Sequence, residues 1–350
     1  MQRILLVKTT SLGDVVHCLP AVTDMATLFP GVAIDWVVEE TYVDVVGLHP
    51  GVSRVLPVAI RRWRKNLASR ATRDEMAQFR RDLRSQHYDL VIDAQGLAKS
   101  ALIARMARGE RHGLDRASAR EWIAALAYEH CHPVPWTLDA VARNRKLVGD
   151  ALGYVPRGAP DYAITAAATA FDWLPPGPYC VCLSGTTDAA KLWPEDSWRE
   201  LALFVCHAGL ACVLPAGTGA EYQRAERIAA AIGGAGHLAA IGGVIEVGGD
   251  GSNCTAVVAP ALGLAELAQL IAGAALVVGV DTGLTHLAGA LARPTVGIFC
   301  GTSPRSTGVV GTRVRNVGEV ARTPSSEAVW QAAVALVEAQ APMPDAVVSH

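Results

Sequence analysis

The sequence predicts an α/β protein of two doubly wound, Rossmann-like domains in tandem, and three observations carry that prediction. Short runs of β-branched and small apolar residues, such as Ile4-Leu5-Leu6-Val7 and Ala274 to Gly279, read as strands buried on both faces. Segments with helical spacing alternate with them, as in a parallel sheet wrapped by helices. Pro156, Pro160, Pro175, Pro176 and Pro178 interrupt this alternation midway, after which it resumes. A chain of 350 residues is also long for one core and natural for two. The expected division is residues 1–160, a linker over 161–178, a second domain over 179–325, and a closing helix and tail over 326–350.

Taken in order, Arg3 to Val7 is a strand that runs into the loop Thr9-Thr10-Ser11-Leu12-Gly13. A helix is expected from about Asp14 to Phe29, ended by Pro30-Gly31. Ile34 to Glu40 and Val55 to Ile60 read as strands, Arg73 to Gln86 as a helix with Met76, Phe79 and Leu83 at helical spacing, and Leu90 to Asp93 as a strand. In the second half, strands are expected at Tyr179 to Leu183, Cys212 to Leu214 and Thr255 to Val258. Helices are expected at Glu195 to Ala208, Glu221 to Ile232 and Leu264 to Ala272. The glycine-rich, charge-poor stretch Gly233 to Asn253 reads as a surface excursion. Ser326 to Ala339 reads as a closing helix able to pack back on the first domain.

Composition narrows the function. With 51% hydrophobic and 18% charged residues the chain is globular, not disordered. A net charge of −2 gives no overall pull toward nucleic acid or membrane. No apolar run reaches the ~18 residues of a membrane span. Ile4 to Val7 is broken by Lys8 and followed by Asp14, unlike a signal peptide, so a cytoplasmic protein is expected. The cysteines, several in apolar stretches, read as reduced structural thiols, and no CxxC occurs. His130-Cys131-His132 lacks a second ligand pair in the sequence, so no metal site is expected.

Three features carry chemistry. Lys8 to Asp14 leaves a strand and enters a helix without being GxGxxG or Walker A, which counts against a nicotinamide dehydrogenase. Asp14 there can take a proton from an attacking hydroxyl, or can simply cap the helix. His17, about one helical turn further in, is the other candidate base. The second feature pairs Ser184-Gly185-Thr186-Thr187, with Lys191 following, and Asp281-Thr282-Gly283-Leu284-Thr285-His286. Hydroxyls, a lysine and a helix N-terminus after strands suit a nucleotide diphosphate held without metal, and no DxD pair is present. The plain alternative is a βα turn with Asp281 as N-cap. The third is the basic knot Arg61-Arg62-Trp63-Arg64-Lys65, with Lys99 and Arg120, which fits a polyanionic acceptor or, alternatively, a solvated loop.

Several blocks together resemble the lipopolysaccharide heptosyltransferases of glycosyltransferase family 9. They are Ile4 to Val15, Asp35 to Glu40, Arg61 to Lys65, Asp93-Ala94-Gln95-Gly96-Leu97, Lys191-Leu192-Trp193-Pro194 and Asp281 to Leu287, in order over nearly the whole chain. The Arg61 and Asp35 blocks resemble most closely the members that add the first heptose. The likeness implies a GT-B fold with an interdomain cleft. It also implies inverting transfer of L-glycero-D-manno-heptose from ADP-heptose to the first Kdo of Kdo2-lipid A, with no metal or other cofactor. Asp14 would be the general base, and Lys191 would offset leaving-group charge. Thr186, Thr187, Lys191, Glu221, Leu262, Asp281, Thr282, Gly283 and His286 would hold the donor. Thr10, Ser11, Gly13, Arg61, Arg62, Arg64, Lys65, Gln95, Lys99 and Arg120 would hold the acceptor.

The expected place is the cytoplasmic face of the inner membrane, as a peripheral protein, with no nucleic-acid partner. Two departures from the family pattern are Ala216, where a Trp is expected after Leu214-Pro215, and the long Gly233 to Asn253 connection. The competing readings are the second heptosyltransferase of the pathway, acting on a heptosylated acceptor, and a non-catalytic polyanion-binding protein.

Overall fold

In the computed structural model, which describes residues 1–233, 244–247 and 254–338, the chain divides into units Met1–Ala166 and Ala167–His350. In the first, strands β1 (Arg3–Val7), β2 (Ala33–Glu39), β3 (Val52–Val58), β4 (Leu90–Asp93), β5 (Glu110–Leu114) and β6 (His130–His132) form one parallel sheet. Its order is β3-β2-β1-β4-β5-β6. The apolar run Ile4 to Val7 lies at its centre with no exposed surface, as a strand covered by helices on both faces must. Phe79 and Leu83 of the Arg70–Arg84 helix pack with Leu56, Val58 and Trp63 over one face. The order reverses between β1 and β4, so the loops leaving those two strands emerge side by side.

One expected helix is two. Leu12–Val16 and Leu19–Leu28 are separate, with Pro20 in the first turn of the second, where its missing N–H costs nothing. The first starts at Ser11 as N-cap, with Asp14 in its first turn as the reciprocal partner of a capping box.

In the second unit, β7 (Tyr179–Leu183), β8 (Ala211–Leu214), β9 (Val244–Val247), β10 (Cys254–Val258), β11 (Leu276–Val280), β12 (Thr295–Ile298) and β13 (Val314–Val317) form a sheet ordered β13-β12-β11-β7-β8-β10-β9. All pairs are parallel except β9, which runs antiparallel along β10 at the edge. The β9 residues fall inside the stretch expected as a surface excursion, so part of it is sheet; Gly233 ends the preceding helix, and the rest lies outside the described residues. Here too the order reverses, between β7 and β11.

Trp193 and Trp198 meet edge to face at 5.1 Å in the core of this unit. The Ser326–Glu338 helix packs against its own unit: Val329, Ala333 and Leu336, spaced as one helix face, enter that same core beside Trp198 and Val296. Cys206 is disulfide-bonded, against the reading of all cysteines as reduced, while Cys180, Cys182 and Cys212 are buried free thiols. Among the described residues no helix is long and apolar enough to cross a membrane.

Candidate active site

At the reversal point of the first sheet, a buried relay positions the loop after β1. Asp93, fully buried, accepts the Tyr128 hydroxyl at 2.7 Å and the Gln95 backbone N–H at 2.8 Å. Burial pushes its carboxyl pKa up, and these bonds oppose the rise. The turn they fix aims Gln95 Oε1 at two backbone N–H groups, Thr9 at 3.0 Å and Thr10 at 3.1 Å. Gly96, at φ +67°, closes the turn in the left-handed region that suits glycine. Lys99 Nζ donates to Thr10 Oγ1 at 3.1 Å, and buried Lys8 donates to the Ala94 carbonyl at 2.8 Å.

Asp14 stands at the end of this loop. Its Oδ2 accepts the Ser11 N–H at 3.0 Å, and Arg120 Nη2 reaches Oδ1 at 3.3 Å. Burial alone would raise the Asp14 pKa, but Lys8, Arg120, the Ser11 N–H and His17 together hold it below the usual value. The group is therefore a carboxylate, 15% exposed, with oxygens already oriented. Thr10, Ser11, Gly13, Asp14, Gln95, Lys99 and Arg120 thus form one cluster, with Gly13 inside the first helical turn.

Replacing Gln95 with alanine is expected to cost about 2–3 kcal/mol, since two buried N–H groups lose the side-chain oxygen they donate to. A urea midpoint that drops with an unchanged slope would show this, and an unmoved midpoint would remove Gln95 from the relay.

The basic knot behaves differently. Arg61, Arg62, Arg64 and Lys65 are exposed around the short Ile60–Trp63 helix, but Arg62 is already engaged by Glu40 at 3.0 Å and Glu75 at 2.8 Å. An acceptor contact at Arg62 would have to compete with those carboxylates. Glu75 also accepts the indole N–H of buried Trp63 at 2.8 Å. Arg64 and Lys99 line a groove of about 960 Å³ that sequence reading missed. Its apolar walls include Trp63, Leu67, Met76, Phe79, Leu102 and Ile103, and Arg80, Arg81, Arg84 and Arg108 line it with no acidic residue. The available signal was Met76, read at helical spacing with Phe79 and Leu83 but 39% exposed where those two are buried.

In the second unit the loops after β7 and β11 meet through one carboxylate. Lys191 Nζ lies 2.8 Å from Asp281 Oδ2, the Thr302 hydroxyl donates to the same oxygen at 2.6 Å, and His286 Nε2 is 3.2 Å from Oδ1. Burial works to raise the pKa of Asp281, yet His286, Lys191 and Thr302 hold it well below the carboxylate range. Asp281 is not the N-cap; that position is Thr282, with Gly283 opening the Gly283–Ala290 helix. The first-turn N–H groups of that helix are therefore beside Thr282 and Gly283, and Thr285 is turned inward, donating to the Val280 carbonyl at 2.7 Å.

Thr302 was not foreseen, though it sits in a hydroxyl-bearing loop directly after β12, as Asp281 does after β11. Gly301 permits the approach: a Cβ there would lie 2.5 Å from the Ala190 carbonyl oxygen. Thr186 and exposed Thr187 lie in the loop after β7, where Thr186 Oγ1 accepts the Asp188 N–H at 3.4 Å.

Glu221, expected at the nucleotide base, caps its own helix. Its Oε2 accepts the Gly217 and Thr218 N–H groups at 2.9 Å each, although the carboxylate also stands beside Gly185. Leu262 is half-buried in the loop before the Leu264–Gly273 helix. A lysine, hydroxyls and a helix N-terminus thus gather at the carboxyl ends of β7 and β11, an arrangement chemically suited to an anion.

Comparison with known proteins gives the family. The model of glycosyltransferase family 9 (heptosyltransferase) matches residues 76–334. The chain is 46% identical to lipopolysaccharide heptosyltransferase 1 of Pseudomonas aeruginosa over 88% of this chain and 81% of that protein. It is 42% identical to the Salmonella typhimurium protein of the same name, over 88% and 92%. Among solved structures, the Escherichia coli heptosyltransferase WaaC with ADP superposes with a TM-score of 0.81 at 38% identity, covering 96% of this chain and 100% of that one. The fold is GT-B. The chain belongs to glycosyltransferase family 9, the heptosyltransferases.

Proposed function

We propose that the protein transfers L-glycero-D-manno-heptose from ADP-heptose to the first Kdo of Kdo2-lipid A, with inversion at the anomeric carbon and Asp14 as general base. The observation that carries this reading is the Asp14 carboxylate, held ionised and oriented between the Ser11 N–H and Arg120 at a sheet reversal point. As an acceptor hydroxyl attacks the anomeric carbon, Asp14 takes its proton, and the bond to the diphosphate breaks to release ADP. Lys191 has three N–H donors and Asp281 engages one, so others can meet the leaving phosphate while the carboxylate fixes the ammonium. Thr186, Thr187, Thr282, Gly283 and His286 would complete the donor site, with Glu221 and Leu262 toward the base. No step in this scheme uses a metal or cofactor.

The donor assignment is supported by the Escherichia coli WaaC structures with ADP and with ADP-2-deoxy-2-fluoro heptose. The acceptor assignment rests on Arg61, Arg64, Lys65, Lys99 and Arg120 and on the cation-lined apolar groove, which suits an anionic amphiphile. The same surface would hold the protein at the cytoplasmic face of the inner membrane. Vesicles carrying Kdo2-lipid A should sediment the protein at low salt and release it at high salt; no sedimentation at low salt would remove the membrane from this reading.

The decisive experiment is ADP release from ADP-heptose with a chelator present, offering Kdo2-lipid A and a heptosylated acceptor in parallel. Release with Kdo2-lipid A alone is the expected result. Release with the heptosylated acceptor alone would assign the protein to the second transfer. Silence with both would leave a binding role.

A further inference from the structure

We propose that the β5–β6 edge of the first unit is a site for a divalent transition metal, with Glu110, His112 and His130 as ligands and His132 orienting His112. The strands are parallel, with His112 paired to His130. Side chains alternate along a strand, so Glu110 and His112 share a face of β5, and His130 and His132 share that face of β6. The second ligand pair that the sequence around His130 lacks is supplied by the neighbouring strand. The ligand atoms of Glu110, His112 and His130 all lie within 4.8 Å of one another. Cys131 points away, donating its thiol to the Ala125 carbonyl at 3.4 Å.

The second observation is the state of His112. Its ring stacks on His130 at 4.7 Å and on His132 at 5.2 Å, and its Nδ1 lies 3.0 Å from His132 Nε2. The residue is only 8% exposed, and its Nε2 has no hydrogen-bond partner among the described residues. If Nδ1 carries the proton to His132, Nε2 presents a bare lone pair in a buried place. A cation is the partner that would satisfy it, and a histidine whose other nitrogen is hydrogen-bonded is how metal ligands are usually oriented. His130 Nε2 already meets Glu110 Oε1 at 2.5 Å, and both are exposed, leaving an entry path and room for water. Two imidazoles and one carboxylate favour Zn²⁺ or Ni²⁺ over Mg²⁺. The bound ion would cross-link the two edge strands. This inference does not rest on the proposed transfer, since none of its four residues is assigned there to the donor, the acceptor or the base.

The test uses tag-free, metal-stripped full chain. ZnCl₂ should raise its melting temperature by roughly 5–10 °C at saturating concentration, while MgCl₂ leaves it unmoved. Co²⁺ should give visible d–d absorption that Zn²⁺ displaces. Both effects should vanish in His130→Ala and in Glu110→Gln, whose exposed sites tolerate substitution, and persist in Cys131→Ser. The proposal is overturned if wild type shows neither effect, if His130→Ala keeps them, or if Cys131→Ser alone removes them.

Discussion

Asp14→Asn is expected to lower turnover about 100- to 10,000-fold with ADP-heptose affinity unchanged. Asparagine keeps an oxygen that can accept the Ser11 N–H, so the helix start survives while the proton acceptor and the exposed ion pair with Arg120 are lost. Stability by urea melts should therefore be close to wild type, which separates the base from the cap. Near-normal turnover in this variant would end the role of Asp14 as base. The pH profile adds a second readout. Burial raises the Asp14 pKa, and Lys8, Arg120, the Ser11 N–H and His17 together outweigh it, so the folded value is lowered. A base with a lowered pKa stays deprotonated as pH falls through the ordinary carboxylate range, and the acid limb of kcat/KM lies below it. Arg120→Ala removes one lowering charge and should move that limb to higher pH. An unmoved limb would mean that Arg120 does not tune the base.

Asp281→Ala is the second large effect, expected to cost about 2–4 kcal/mol of stability and to weaken donor binding about 10- to 100-fold. The substitution strips Thr302 and Lys191 of the buried oxygen that both contact. Lys191→Ala should weaken the donor similarly while costing less stability, because its side chain is 25% exposed and Asp281 keeps Thr302. The folded pKa of Asp281 is lowered, so its contribution is full above the unfolded value and is lost as pH falls through the folded one. The stability gap between wild type and Asp281→Ala, read by urea unfolding, should thus be wider at neutral pH than at about pH 3. An equal gap at both would show that the charge of Asp281 is not what stabilises the loop pair, and unchanged donor affinity in Lys191→Ala would remove that lysine from the site.

Buried strands were the legible part of this chain. Ile4 to Val7, Tyr179 to Leu183 and Leu276 to Val280 are runs of apolar residues because each is covered on both faces, and no other element writes that pattern so plainly. The polar strands Glu110–Leu114 and His130–His132 carry no such run and were not foreseen. The break at Pro20 was hidden because a proline in a first turn looks like a proline inside a longer helix until the backbone is seen.

The turns bearing Asp14 and Asp281 were readable from local order alone: a buried strand, then an acid with hydroxyls and glycine, then a helix. Their partners were not, because those come from distant positions in the chain. Thr302 reaches Asp281 across 21 residues, Gln95 reaches Thr9 across 86, and Arg120 reaches Asp14 across 106. Local periodicity is written into the chain by the faces each segment must bury, so the sequence specified strands, turns and the acids they carry. Strand order and register are set by packing among segments far apart. Only they placed Lys191 on Asp281, assembled cations around an apolar groove, and set Glu110 and His112 beside His130.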